Sequence, residues 1–174
     1  MPAERLHPFD VVLALRLARQ AGTLSDLAKD LSVVPSQVHA AVNRLEFAGL
    51  IRPGSRETNR HALAEFIEHG VRYAFPVMPD AETTGVPTAH SAEPLSSEID
   101  ASDAFVWPTA KARDAVRGRG IVPLYGAAPK LRESDPETYR LVALVDAVRA
   151  GSPRERSLAI GHLRRALRMD DAAF

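Results

Sequence analysis

The stretch TLSDLAKDLSVVPSQVHAAVNRLEFAGLI, Thr23 to Ile51, constrains this chain more than any other. Leu24, Leu27, Ala28 and Leu31 recur at helical spacing, so they share one face of a first helix. Thr23 is suited to cap that helix, and Asp26 falls in its first turn, where a carboxylate complements the dipole. Pro35 stands where a second helix starts, and Val38, Ala41, Val42 and Leu45 repeat the spacing on it. Ala28 is small where two such helices cross. The stretch therefore predicts two short helices held at an angle by a tight turn.

A helix-turn-helix of this kind resembles the winged helix-turn-helix regulators of bacteria, of the broad MarR-like and ArsR-like sort. The resemblance covers roughly residues 9–53. Counted from Leu24, the residues Leu27, Leu31, Val33, Val38 and Ala41 take the apolar positions, and Ala28 takes the small one. The ending EFAGLIRPG is similar to the step by which the family's recognition helix passes into its wing. Two positions depart from the pattern. Ser32 replaces the usual turn glycine, and Val34 replaces the usual Ser or Thr cap, which forfeits roughly 1 kcal/mol. The resemblance implies a recognition helix over residues 35–48 lying in the major groove. The same apolar spacing also builds an ordinary three-helix core.

With Val38, Ala41, Val42 and Leu45 inward, Ser36, Gln37, His39, Ala40, Asn43 and Arg44 face outward. Gln37 and Asn43 suit adenine edges, Arg44 and His39 suit guanine or phosphate, and Ser36 suits a phosphate near the helix start. Arg52, Arg56 and Arg60 flank the short turn where a wing would contact the backbone. The alternative reading of the eight polar residues among these is a solvated surface.

Along the chain, a first helix is expected from Pro8 to Ala21, ended by Gly22, and another over RHALAEFIEHG. VRYAFPV, Val71 to Val77, alternates with period two and reads as a strand. From Met78 to Arg119 the chain is rich in Pro, Ser, Thr and acidic residues, with few apolar clusters. Trp107, Leu124 and Tyr125 are costly to leave in water, which favours an arm laid on other surfaces over a loose linker. Pro136 onward reads as a helix to Arg149. Ser152, Pro153 and Glu155 start another. These two helices form a hairpin with more apolar surface than it can cover alone.

The expected fold class is mainly α. It comprises an N-terminal winged helix-turn-helix domain with a short or atypical wing over 1–77, an irregular Pro-rich connection with a few short strands over 78–133, and a C-terminal helical hairpin over 134–174 that dimerises.

Composition narrows the function classes. Apolar residues make up 45% of the 174, so a packed core is expected. No apolar run reaches the length of a membrane span, and MPAERLHPFD does not read as a signal peptide. The absence of cysteine removes disulfides, thiolate metal sites and Cys nucleophiles, and fits the cytoplasm. Net charge is zero, which counts against nonspecific coating of nucleic acid but not against a local basic footprint. His61, Glu65 and His69 line one stripe, better read as solvated than as a metal site, and no metal or cofactor is expected. Thr88, His90 and Ser91 in VPTAHSA lack a nucleophile elbow, so no catalytic residue is assigned. The sequence thus points to a homodimeric regulator that binds double-stranded DNA. The runner-up is an antitoxin or adaptor that binds the protein product of a neighbouring gene through its middle segment.

Overall fold

The structure is a computed structural model describing residues 5–169. Helix α1 spans Pro8–Arg19, α2 Leu24–Leu31 and α3 Pro35–Phe47. Helices α4, Arg60–His69, and α5, Val71–Ala74, follow. Strands β1, Glu82–Thr88, β2, Phe105–Pro108, and β3, Val116–Gly120, form a small sheet interrupted by short 3-10 turns. The chain ends in α6, Leu131–Ser134, α7, Pro136–Ala150, and α8, Pro153–Ala166. The protein is therefore mainly helical with one small sheet. Among the described residues, no helix is long and apolar enough to cross a membrane.

Two helices carry the core. Every residue of α1 from Asp10 to Ala18 is buried, and so is every residue of α7 from Leu141 to Arg149. A helix buried on all sides needs neighbours on all sides. Helix α1 meets α2, α3 and α7; α7 in turn meets α5, α6, α8 and β1. One contiguous apolar cluster runs from Val11 to Leu167. The divisions expected at 77/78 and 133/134 are thus not divisions of the core. The faces expected to dimerise are covered inside the chain: Leu141, Leu144, Val145, Val148, Leu163 and Leu167 are all buried. The hairpin itself is present, and Ser152 and Glu155 cap each other's backbone as the spacing implied. Its missing cover comes from α1, α4, α5 and the sheet layer, rather than from a second copy.

Val71–Val77 is not a strand. Gly70 ends α4 and starts α5 directly, and the amides of Tyr73 and Ala74 both donate to the Gly70 carbonyl. The alternation is not expressed, because only Val71 is buried while Tyr73 is 74% exposed. Pro76 follows, and it has no amide to continue a helix.

The middle segment is an ordered arm. β1 runs antiparallel to both neighbours, Val86 opposite Trp107 in β2 and Thr83 opposite Gly118 in β3, while β2 and β3 pair in parallel and close the set. Gly85 is where the three strands draw together; a Cβ there would stand 2.0 Å from the Trp107 carbonyl oxygen. Trp107 is fully buried and Leu124 nearly so, as their size required.

Polar groups clamp the layers. Asp135 caps α7 through the Thr138 amide and receives Arg16 and Arg19 from α1, while Arg16 also reaches Asp30 of α2. Asp146, fully buried in α7, accepts from the Thr88 hydroxyl at 2.8 Å, the Trp107 indole at 2.6 Å and Arg149 at 2.7 Å. Burial pushes the Asp146 carboxyl above its ordinary range, against the pull of Arg149 and the two neutral donors. The Tyr139 hydroxyl donates to the Pro87 carbonyl, and burial pushes its pKa up to about 12.

Ser32 closes α2 in the left-handed region, at φ 56° and ψ 45°, so the residue standing in place of glycine does adopt a glycine-like backbone. That conformation costs a residue with a Cβ roughly 1–2 kcal/mol. Ser32→Gly is expected to raise stability by about 0.5–1 kcal/mol, the gain being cut by the extra chain entropy of glycine. A denaturant midpoint that falls in this variant contradicts the assignment.

Candidate nucleic-acid interface

Helix α3 presents its polar stripe to solvent because Val38, Ala41, Val42 and Leu45 are taken into the core against α1 and α2. Ser36, Gln37, His39, Ala40 and Asn43 are all exposed. Ser36, His39 and Asn43 have no hydrogen-bond partner among the described residues, so their side chains are available. Gln37 is partly committed. Its Oε1 accepts the Val34 amide at 3.2 Å, supplying from inside the helix the cap that Val34 cannot provide. Its NH2 group remains free to donate, but two-point pairing with adenine would require the cap bond to break.

Arg44 is placed differently from the sequence expectation. Its guanidinium donates twice to Asp10 of α1, Nε at 2.8 Å and Nη2 at 2.7 Å, and the Asp10 side chain is fully buried. Arg44 lies at the edge of the outward face, where a buried carboxylate thirty-four positions earlier draws it in. Its first role is to neutralise that charge. Arg60 is also diverted. Its guanidinium donates to the carbonyls of Ala18 and Leu167, stapling the ends of α1 and α8 rather than flanking the turn.

The loop after α3 is short. Ile51 and Thr58 form a single antiparallel bridge, and the Arg52 amide donates to the Glu57 carbonyl at 2.8 Å. Thr58 anchors it by donating to the Ala14 carbonyl at 3.0 Å in the core. The Gly54 amide donates to Glu46 of α3 at 2.9 Å, which ties the loop tip to that helix. Arg52 pairs with Glu57 at 3.3 Å with both side chains exposed, a contact worth little in water. Arg56, at φ 54°, donates to the Gly22 carbonyl at 3.3 Å and is otherwise exposed. The α3 stripe and the loop that follows it thus expose Ser36, Gln37, His39, Asn43, Arg52 and Arg56, together with Glu57, while Glu46 is half-buried under the loop tip. The charge of this surface is mixed. Its strength is hydrogen-bonding side chains on a rigid helix.

Sequence reasoning missed the neighbour of this surface. Tyr125 donates its hydroxyl to the Leu31 carbonyl at 2.9 Å and packs on Phe9, bringing Tyr125–Ala127 beside the first turns of α3. The signal was Tyr125 itself, an aromatic too large to leave in solvent. His61, Glu65 and His69 stand exposed along α4. Thr88, His90 and Ser91 have structural partners: Asp146, the Asp103 carbonyl and the Phe105 amide.

No family model matches the chain, and no solved structure matches it. A stretch of 120 residues is 31% identical to the phenylalanine–tRNA ligase beta subunit of Paramagnetospirillum magneticum. The match covers 63% of this chain but only 14% of that subunit's length.

Proposed function

We propose that this chain is a sequence-specific regulator that binds double-stranded DNA, with α3 as the recognition helix of a winged helix-turn-helix and the 51–58 loop as its short wing. The observation that carries the reading is the exposed, unpartnered Ser36–His39–Asn43 stripe on a helix whose opposite face is fixed in the core. Side chains that are pre-positioned and unpaired satisfy base edges without first breaking internal bonds. Asn43 is assigned to an adenine edge, His39 to a base or phosphate, and Ser36, Arg52 and Arg56 to the backbone.

One such helix reads few base pairs, so a two-fold dimer is part of the proposal. The C-terminal hairpin is closed; among the described residues Val34, Phe47, Tyr73, Met78, Val116 and Val122 are the exposed large apolar side chains, and of these Tyr73, Met78 and Val122 are the ones offered to a second copy. The Arg149 guanidinium reaches both the Phe75 and the Val122 carbonyls, so the backbone between Tyr73 and Met78 passes close to Val122. This patch also supports the second reading, in which the chain contacts a protein partner encoded nearby. Dimers by light scattering favour the first; monomers that bind such a partner favour the second.

The mixed charge of the surface makes a numerical prediction. With two arginines per copy available for phosphates, log affinity should fall with log salt at a slope of about −2 per bound copy. His39→Ala with Asn43→Ala should weaken binding to a selected genomic duplex by roughly 1–3 kcal/mol and leave thermal stability unchanged. Filter binding across a salt series reads both quantities. Total tRNA serves as competitor, since the matched relative is a tRNA ligase subunit. The reading fails if tRNA displaces the duplex better than unrelated DNA does, or if the double variant binds as tightly as the parent.

A further inference from the structure

A pocket of about 420 Å³ lies between α3 and the Tyr125–Ala127 segment. Tyr125 holds the outer wall in place through its bond to the Leu31 carbonyl and its ring contact with Phe9, 5.1 Å between centroids at 58°. The volume falls in the range of about 300–1,000 Å³ typical of small-molecule sites. Gly126 lines the pocket, and a Cβ there would meet nothing within 4 Å, so a larger residue is tolerated at that position.

The lining selects a chemistry. Phe9, Val33 and Tyr125 offer flat apolar surface. Ser32, Gln37 and the exposed His7 ring offer polar edges; the Gln37 Oε1 is held by the Val34 amide, so its NH2 group is what it presents to a ligand. Arg44 also reaches the pocket, but its charge is already balanced by the buried Asp10 carboxylate. From Arg44 an anion therefore gains little. An aliphatic guest would cover the polar edges without pairing them, which costs binding energy. An uncharged ring with hydrogen-bonding atoms on its edge satisfies both surfaces.

We propose that this pocket binds an uncharged, nucleobase-like heteroaromatic compound, and that its occupant competes with DNA for α3. The competition follows from placement. Gln37 and Ala40 line the pocket, and Ala40 lies one turn from Ser36 and Asn43 on the same helix. A ring stacked against Tyr125 stands beside the stripe that would enter a groove. The competition rests on the DNA reading; the binding itself does not.

The test titrates the full-length 15N-labelled chain with adenosine as the probe, with ribose and benzoate in parallel. Adenosine should shift the backbone amides of Ser32, Val33, Gly126 and Ala127 and the Gln37 side-chain NH2 saturably. Ribose should leave them unmoved, and benzoate should bind at least about tenfold more weakly, a gap of ~1.4 kcal/mol. Ala40→Phe fills the pocket from the helix and Gly126→Phe from the facing wall; each should abolish the shifts while leaving the rest of the spectrum intact. No saturable shift with adenosine, or equal shifts with ribose, overturns the pocket. With a selected duplex present, saturating adenosine should lower DNA affinity about tenfold or more. Unchanged DNA affinity with the pocket filled overturns the competition. Adenosine binding by a chain that binds no duplex supports the pocket and sinks the DNA reading instead.

Discussion

Replacing Asp146 by Ala should cost this protein about 3–5 kcal/mol, among the largest losses expected from a single side chain. Asp146 is fully buried and takes three donors at once, from β1, β2 and its own helix. Without it, the Trp107 indole and Thr88 hydroxyl lose a partner in a place water does not reach. Arg149, itself buried, keeps its bond to the Phe75 carbonyl but loses its counter-charge. A domain of this size holds only ~5–15 kcal/mol in total, so the variant should sit close to its unfolding transition. Urea unfolding followed by Trp107 fluorescence measures the loss. A cost below about 1 kcal/mol would mean that the sheet layer does not depend on this hub.

Arg44→Ala should also destabilise by about 3–5 kcal/mol, because it leaves the fully buried Asp10 carboxylate without its counter-charge. The defect should appear as lost folding, with any loss of DNA binding following from it. Asp10→Asn with Arg44→Gln keeps hydrogen bonds without charge and should recover much of the loss, since a neutral pair avoids the desolvation of two ions. Denaturant midpoints of the two forms decide the matter. If Arg44→Ala folds with parental stability, the ion pair is dispensable and Arg44 returns to the set of groups available for DNA.

These two residues show where the sequence was readable. The helices at both ends were legible because caps and apolar spacing agree locally, as at Thr23 with Asp26 and at Ser152 with Glu155. The pairing of Arg44 with Asp10 was not legible, because a helical wheel shows the outward edge of α3 but not a carboxylate on another helix. Asp146 carried a signal that was passed over: LVALVDAV is apolar on every side, and a lone acid in such a helix must be paired inside. The same run explains the mistaken dimer surface, since a helix apolar all round is enclosed by its own chain when an ordered arm is there to cover it. That arm was half legible. The size of Trp107 and Tyr125 announced burial, but β2 and β3 are four and five residues long and carry no period. Their register depends on Gly85 and Gly118 letting backbones approach, and that is a property of the assembled sheet. Within the candidate site, the exposed stripe of α3 followed from its buried one. The covering Tyr125 segment did not, because it arrives from ninety-four positions away.

Selection from a random duplex library, run in parallel with the parent chain and with Asn43→Ala, tests the central claim most directly. The account predicts that the parent enriches a defined motif, and that the variant enriches the same motif relaxed at one base pair per half-site, with a loss of about 1–3 kcal/mol on the parent's best sequence. Enrichment of no motif by the parent, or of an identical motif at equal affinity by the variant, would contradict α3 as the reader of DNA.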